Sequence, residues 1–249
     1  MGLFLKKILI FIVPFIILVA LEVMIDPFNF FSAEKNKKLL DLKNNLARKK
    51  NTYLYRLIEY ERNPYPAIVL GDSRAQRLMP EFFEEVNGEK VANLAAGAGS
   101  LQDVIKIFWD LSSRNKLSKV YIGIAIEGYS GTLLKDRVSA ALEVKNSAPL
   151  YLTSKFTIEN TMLILKSQLF NQRVELQAPP FSREEFWQYE LTQEDRYLKN
   201  YSYPKNYYED LKKISAYCLK NNIKLVFIIS PTHTEVQNKI NEFKLNKEY

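Results

Sequence analysis

One cysteine, one histidine and eight glycines in 249 residues leave several chemistries without material. The lone Cys218 allows no intrachain disulfide, so the fold must rest on its core, and the thiol leaves the redox compartment undecided. With His233 the only histidine, no zinc-type ligand spacing exists, and no metal or cofactor is expected. The chain also lacks a P-loop, a clustered basic–aromatic motif for nucleic acid, an internal repeat and any low-complexity stretch. Nucleotide-driven and nucleic-acid-binding functions therefore have nothing to stand on.

What is present is a globular composition, 47% apolar and 25% charged, with 15 Tyr and 15 Phe. The net charge of +7 reads first as a solvated, Lys-rich surface; a basic domain beside a membrane could also face anionic lipid or an anionic wall polymer.

The one long hydrophobic run is Ile8 to Ile25, interrupted by Pro14 and Glu22. About 18 residues at about 1.5 Å each reach about 27 Å, enough to span a bilayer. Glu22 lies near the end of the run, where a carboxylate can reach the interface. Lys6 and Lys7 before it favour a cytoplasmic N-terminus, against Lys35, Lys37, Lys38 and Lys43 on the far side. The run is long for a signal peptide and no A-x-A-like site follows, so residues 1–25 are expected to be an uncleaved single-pass anchor.

Asp26-Pro27 ends that helix. Residues 26–62 then read as a helical linker, with a helix from about Lys35 to Glu61 carrying an apolar stripe of Leu39, Leu42, Leu46, Tyr53, Leu57 and Tyr60. From residue 63 to 249, short apolar runs alternate with helical patterns. Ala67–Leu70, Lys90–Leu94, Lys119–Ile126 and Ile223–Ile229 read as strands. A helix is expected from about Ser73. Another follows Ser100, which with Asp103 makes a capping box, and a third carries Tyr207, Leu211, Ile214 and Cys218 and ends at Asn221-Asn222. The alternation predicts an α/β fold, a three-layer parallel sheet covered on both faces. Residues from about 130 to 205, with Pro149, Pro179, Pro180 and Pro204 and apolar patches at 161–170 and 186–189, read as an inserted helical cap.

Ligands of open α/β sheets bind at the carboxyl ends of the strands, and three short sequences fall there. Gly71-Asp72-Ser73-Arg74 puts Ser73 at a strand-to-helix turn, where its hydroxyl can act as nucleophile beside free backbone N–H groups; Ser73 or Asp72 serves equally well as a helix cap. Asn93 to Gly99 holds small residues that let a backbone approach a ligand, or that simply make a tight connection. Ser230-Pro231-Thr232-His233 places an imidazole, the natural base for a serine hydroxyl, in the same layer as Ser73.

Together these segments resemble the SGNH, or GDSL, hydrolase family, from about Pro66 onward and including the anchor. The likeness is greatest to the membrane-anchored branch of bacterial cell-envelope proteins, such as alginate O-acetylation and teichoic-acid D-alanyl transfer proteins. The resemblance implies a flavodoxin-like, SGNH hydrolase-like sheet. It implies Ser73 as the nucleophile that forms an acyl-enzyme, and a histidine as base and then acid. Asp72, Gly97, Gly99 and Ser130 would line the oxyanion and substrate site, with the N–H of Ser73 and of Gly97 or Gly99 as oxyanion donors. Two blocks depart from the family pattern. Ile126-Glu127-Gly128-Tyr129-Ser130 has no Asn where the family has Gly-x-Asn-Asp, and Ser230 stands where the family's Asp-x-x-His has its acid. Glu235 is near His233 at an unusual spacing. Relatives of this branch place an Asp-x-x-His block further downstream, so the resemblance implies a base in a segment beyond Tyr249, and the chain as given is expected to be poorly active or inactive.

The expected function is a cell-envelope serine esterase or O-acyltransferase, facing the periplasm or cell surface, acting on an acylated surface glycan or wall polymer. The alternative is a catalytically inactive SGNH-like module that binds a glycan or a membrane-bound acyltransferase partner. A third reading is a structural envelope protein whose aromatic insertion is an interaction surface.

Overall fold

The computed structural model describes residues 2–130, 136–170, 182–203 and 205–245; the side chains of 2–9, 11, 127, 129 and 205 are outside that description. In chain order the elements are α1 (Gly2–Ile25), α2 (Lys37–Lys50), α3 (Thr52–Arg62), β1 (Ala67–Leu70), α4 (Ser73–Gln76), α5 (Pro80–Asn87), β2 (Val91–Asn93), α6 (Leu101–Ser112) and β3 (Lys119–Ile124). After a 3-10 turn at Ile126–Tyr129 come α7 (Ser139–Lys145), α8 (Ala148–Thr153), α9 (Lys155–Phe170), α10 (Arg183–Lys199), α11 (Lys205–Lys220), β4 (Lys224–Ile229) and α12 (Thr234–Glu242).

The chain divides into two compact units, Met1–Glu61 with Ala140–Leu176, and Arg62–Ser139 with Gln177–Tyr249. The span read from sequence as one cap is thus shared: α8 and α9 group with the N-terminal helices, and α10 with the sheet.

In the first unit, the helix expected over 35–61 is two helices broken at Asn51, which leaves helical geometry at φ −143°, ψ 63°. Asp26 adopts φ +43°. Its carboxylate accepts from the N–H of Phe30 (2.7 Å), Phe31 (2.8 Å) and Ser32 (3.1 Å) and from the Tyr151 hydroxyl (2.7 Å). A short carboxylate that satisfies three successive N–H groups fixes the exit from α1 as a turn. Phe30 stacks on Tyr151 at 4.3 Å and Phe28 meets its edge at 6.3 Å. Burial beside Asp26 pushes the Tyr151 hydroxyl far above its ordinary range, so it remains a donor. Glu22 does not reach water at an interface. It is fully buried, and the Thr161 hydroxyl of α9 donates to it at 2.6 Å. Among the described residues no helix is long and apolar enough to cross a membrane; within α1 the described side chains are Ile10 and residues 12–25.

In the second unit, four strands form an all-parallel sheet in the order β2-β1-β3-β4. The fold is α/β, as the alternating pattern predicted. The chain leaves β1 in one direction across the sheet and passes from β2 to β3 in the other. Right-handed crossovers then set α4 and α5 on one face and α6 on the opposite one, consistent with a three-layer arrangement. On the first face, Ala67, Val69, Val91 and Tyr121 pack against Ala75, Leu78 and Phe83. Ile68, Leu70, Val120 and Ile122, whose side chains alternate with these, are fully buried. Cys218 is a buried core residue of α11, and the Ser100–Asp103 capping box opens α6.

Candidate functional site

The connections from β1 and β3 leave in opposite directions across the sheet, and the crevice between two such strands is where open α/β sheets bind ligands. Immediately beyond β1, Gly71 takes φ +145°, a conformation that L side chains rarely adopt. A Cβ there would lie 2.6 Å from the Ala75 Cβ, and one on Gly123 of β3 only 2.5 Å from it. Two missing side chains therefore let α4 settle directly onto β1 and β3. Asp72 is the cap: its Oδ1 accepts from Arg74 N (2.9 Å) and Ala75 N (3.3 Å). Asn93, at the end of β2, donates from Nδ2 to Ala75 O (2.9 Å) and Leu78 O (2.7 Å), and accepts from Ala95 N at 3.0 Å. The turn is thus held from three sides. Ser73, on its crest, is exposed, and with Asp72 capping the helix its hydroxyl is left available for chemistry.

The loop after β2 lies against this turn. Ala96 N donates to Gly71 O (3.2 Å), and the Cα of Gly97 directs the place of its absent side chain toward Gln76. The N–H of Gly99 is spent on Ala96 O at 3.0 Å, so of the two glycines proposed as oxyanion donors Gly97 is the better placed. Arg137 clamps the loop, its Nη1 donating to Gly97 O (2.7 Å) and Ala98 O (3.0 Å) while its own N–H meets the buried Asp103 carboxylate. Next to Arg137, the Asp136 carboxyl is drawn down to about 2 by a hydrogen bond from Lys106. A small cavity of about 20 Å³, room for about one water, opens at the β1–β3 crevice, between Gly71, Asp72, Gly99, Ser100 and Gly128. Ser130 is buried, 1% exposed.

His233 is the N-cap of α12. Its Nδ1 accepts from Glu235 N at 3.3 Å and lies 3.4 Å from Glu235 Oε2, and its ring meets the Trp187 indole at 4.6 Å. The indole N–H donates to the same Glu235 carboxylate. Glu235, at its unusual spacing, is therefore the acid beside this imidazole. Helix α10 links the two catalytic candidates: Glu194 pairs with Arg74, next to Ser73, at 3.7 Å, while Trp187, about 10 Å away along the helix, holds His233 and Glu235. Among the described residues no hydrogen bond joins Ser73 to His233. An acceptor role for Nδ1 puts the neutral ring's proton on Nε2, the reverse of what a general base opposite serine needs.

Compared with protein-family models, curated proteins and solved structures, the chain matches none.

Asn93, Gly123, Arg137 and Trp187 support the site without having been singled out in the sequence for these roles. Asn93 sits in the small-residue loop motif, so it carried a weak signal. Gly123 is a glycine inside a strand rich in Val, Ile and Tyr, which marks a close approach. Arg137 and Trp187 carry no local signal, because their partners lie about 40 or more residues away in sequence.

Proposed function

We propose that this chain is a cell-envelope acyl-transfer protein of SGNH type, with Ser73 as its nucleophile, held at the membrane by α1. The observation that carries the reading is Ser73 itself: a serine with an exposed hydroxyl, on a turn that Gly71, Asp72, Gly123 and Asn93 all constrain, at the β1–β3 crevice of a parallel sheet. In the reaction, the Ser73 oxygen attacks an acyl carbonyl and its proton passes to a base. The departing alcohol takes a proton back, and water or an acceptor hydroxyl then releases the acyl group from the serine. His233 with Glu235 is the base pair the chain offers, and the Gly97 N–H an oxyanion donor. The substrate class is an acylated surface glycan or wall polymer, with a membrane-bound acyltransferase as partner. The anchor is supported by the continuous helix of α1 and its Ile8–Ile25 run. A fluorophosphonate probe should label the full chain at Ser73 and leave Ser73→Ala unlabelled. Equal labelling of both proteins would end the nucleophile reading.

The tautomer held at His233 favours a second reading, a module that binds the acylated polymer without turning it over. It predicts glycan retention by Ser73→Ala equal to wild type, with no hydrolysis of p-nitrophenyl acetate by either. Orientation is tested by Asn45→Cys on the exposed face of α2. The thiol should react with a membrane-impermeant maleimide in whole cells, and protection until lysis would place the domain in the cytoplasm.

A further inference from the structure

The last two turns of α9 carry more exposed apolar surface than any packing role explains. Thr157, Asn160, Thr161 and Ile164 make its buried face. On the opposite side, Met162, Lys166, Leu169 and Phe170 follow the i, i+4, i+7, i+8 spacing of one stripe. Leu169 is 72% exposed and Phe170 67%.

The course of this helix is given by its partners on α1. Tyr151, in α8, bonds Asp26, just past the end of α1; Thr161, ten residues later, bonds Glu22. The contacts step backward along α1, so α9 runs from the Asp26 turn toward the apolar half of α1, and its tip lies about 13 Å beyond Thr161. There the neighbouring α1 exposes Ile12, Val13, Phe15, Ile16 and Ile17, each 44–58%. The two helices are in contact, and each exposes large apolar side chains toward this end.

We propose that the α9 tip is a second membrane-embedded element, with Leu169 and Phe170 in the acyl region of the bilayer beside the anchor. This rests on the reading of α1 as an anchor. A lipid occupant accounts for two otherwise awkward residues. Glu22, in the apolar run, is covered by α9 and receives the Thr161 hydroxyl, so it meets protein rather than lipid. Lys166 lies in the outward stripe, but helical side chains lean toward the helix N-terminus, here the aqueous side, so its stem can snorkel to the interface. The α9 tip would fix the rotation of the anchor, and with it the height of the first unit above the bilayer.

The test uses the full chain in phosphatidylcholine–phosphatidylglycerol vesicles, with the environment-sensitive dye NBD on single introduced cysteines; native Cys218 is buried and does not compete. Dye at Leu169→Cys and at Ile12→Cys should be quenched by doxyl-labelled lipid and shielded from iodide, with Met162→Cys shallower than both. Dye at Asn45→Cys should show the reverse. If Ile12 is lipid-quenched while Leu169 is open to iodide, α9 lies in water and the inference fails with the anchor intact. If Leu169 is shielded from lipid and iodide alike, a protein covers it and the inference also fails. If Ile12 itself is open to iodide, the anchor reading falls and takes this one with it.

Discussion

Both units bury polar as well as apolar side chains, but the joints that hold their elements together differ in kind. In the first, Glu22, Asp26, Lys43, Lys145, Thr157, Asn160 and Thr161 are all buried, and the joints between helices are hydrogen bonds and ion pairs: Asp26 to Tyr151, Glu22 to Thr161, Lys43 to Glu34 (2.9 Å), Lys145 to Glu61 (2.6 Å). In the second, the strands bury Ala67 to Leu70, Val91, Val120 and Ile122, and the tightest joint is the absence of a side chain at Gly71 and Gly123. A buried polar joint gains only a little net free energy when made but costs much when half-broken, whereas an apolar joint responds to volume. The units should therefore fail under different substitutions.

Asp26→Ala should be the most damaging change, since it orphans three backbone N–H groups and the Tyr151 hydroxyl together. The expected loss is about 3–5 kcal/mol, read as urea unfolding of the detergent-solubilised chain, with α8 and α9 opening first in hydrogen exchange. A loss below about 1 kcal/mol would mean that the Phe28–Phe31 ring cluster holds the turn without the carboxylate. Tyr151→Phe, which removes the donor to Asp26 and the acceptor of the Phe28 N–H, should cost about 1–2 kcal/mol.

Gly123→Ala should come next, at about 2 kcal/mol from overpacking against Ala75. It should also cut probe labelling at Ser73, because α4 must shift to admit the methyl group. Gly128→Ala, with nothing within 4 Å of its added Cβ, is the control and should be near neutral. If the two glycines behave alike, the close contact between α4 and β3 is not what shapes the turn.

Removing the cap with Asp72→Ala should cost about 1 kcal/mol. Ser73→Ala should change stability by no more than about 0.5 kcal/mol while abolishing labelling. The reverse order would make Ser73 the structural residue of the turn.

The smallest expected effect is electrostatic. A hydrogen bond from Lys43 lowers the Glu34 carboxyl below its ordinary value of 4.5. A depressed folded-state value means this contribution is complete above the unfolded range and is lost as pH falls through the folded one. Between pH 5 and 3, Glu34→Gln should flatten the acid limb of stability slightly; an unchanged limb would show that the pair contributes nothing.

Much of the second unit was legible in the sequence. Ala67–Leu70 stands between Pro66 and Gly71, and the runs Lys90–Leu94, Lys119–Ile126 and Ile223–Ile229 are short and largely apolar, so strand existence followed from pattern alone, with ends of the last three moved by one or two residues. The Ser100–Asp103 box was equally plain, because its chemistry is local. The site was legible only as three candidate segments. That Asp72 rather than Ser73 is the cap, that Gly99 has no N–H to give, and that Glu235 accompanies His233 depend on angles and distances no spacing encodes.

Local rules, then, were enough for what the chain does over a few residues: the apolar run of α1, the strand-and-helix alternation, the caps, and Ser73 and His233 as candidates. The tertiary structure alone decided the break at Asn51, the division of residues 130–205 between two units, the burial of Glu22 and the Arg137 clamp on the Gly97 loop. The contacts of Glu22 and Arg137 join residues 34 to 139 apart in the chain. A buried polar group takes its meaning from whichever partner the folded chain brings to it, and hydrophobic periodicity carries no record of that partner.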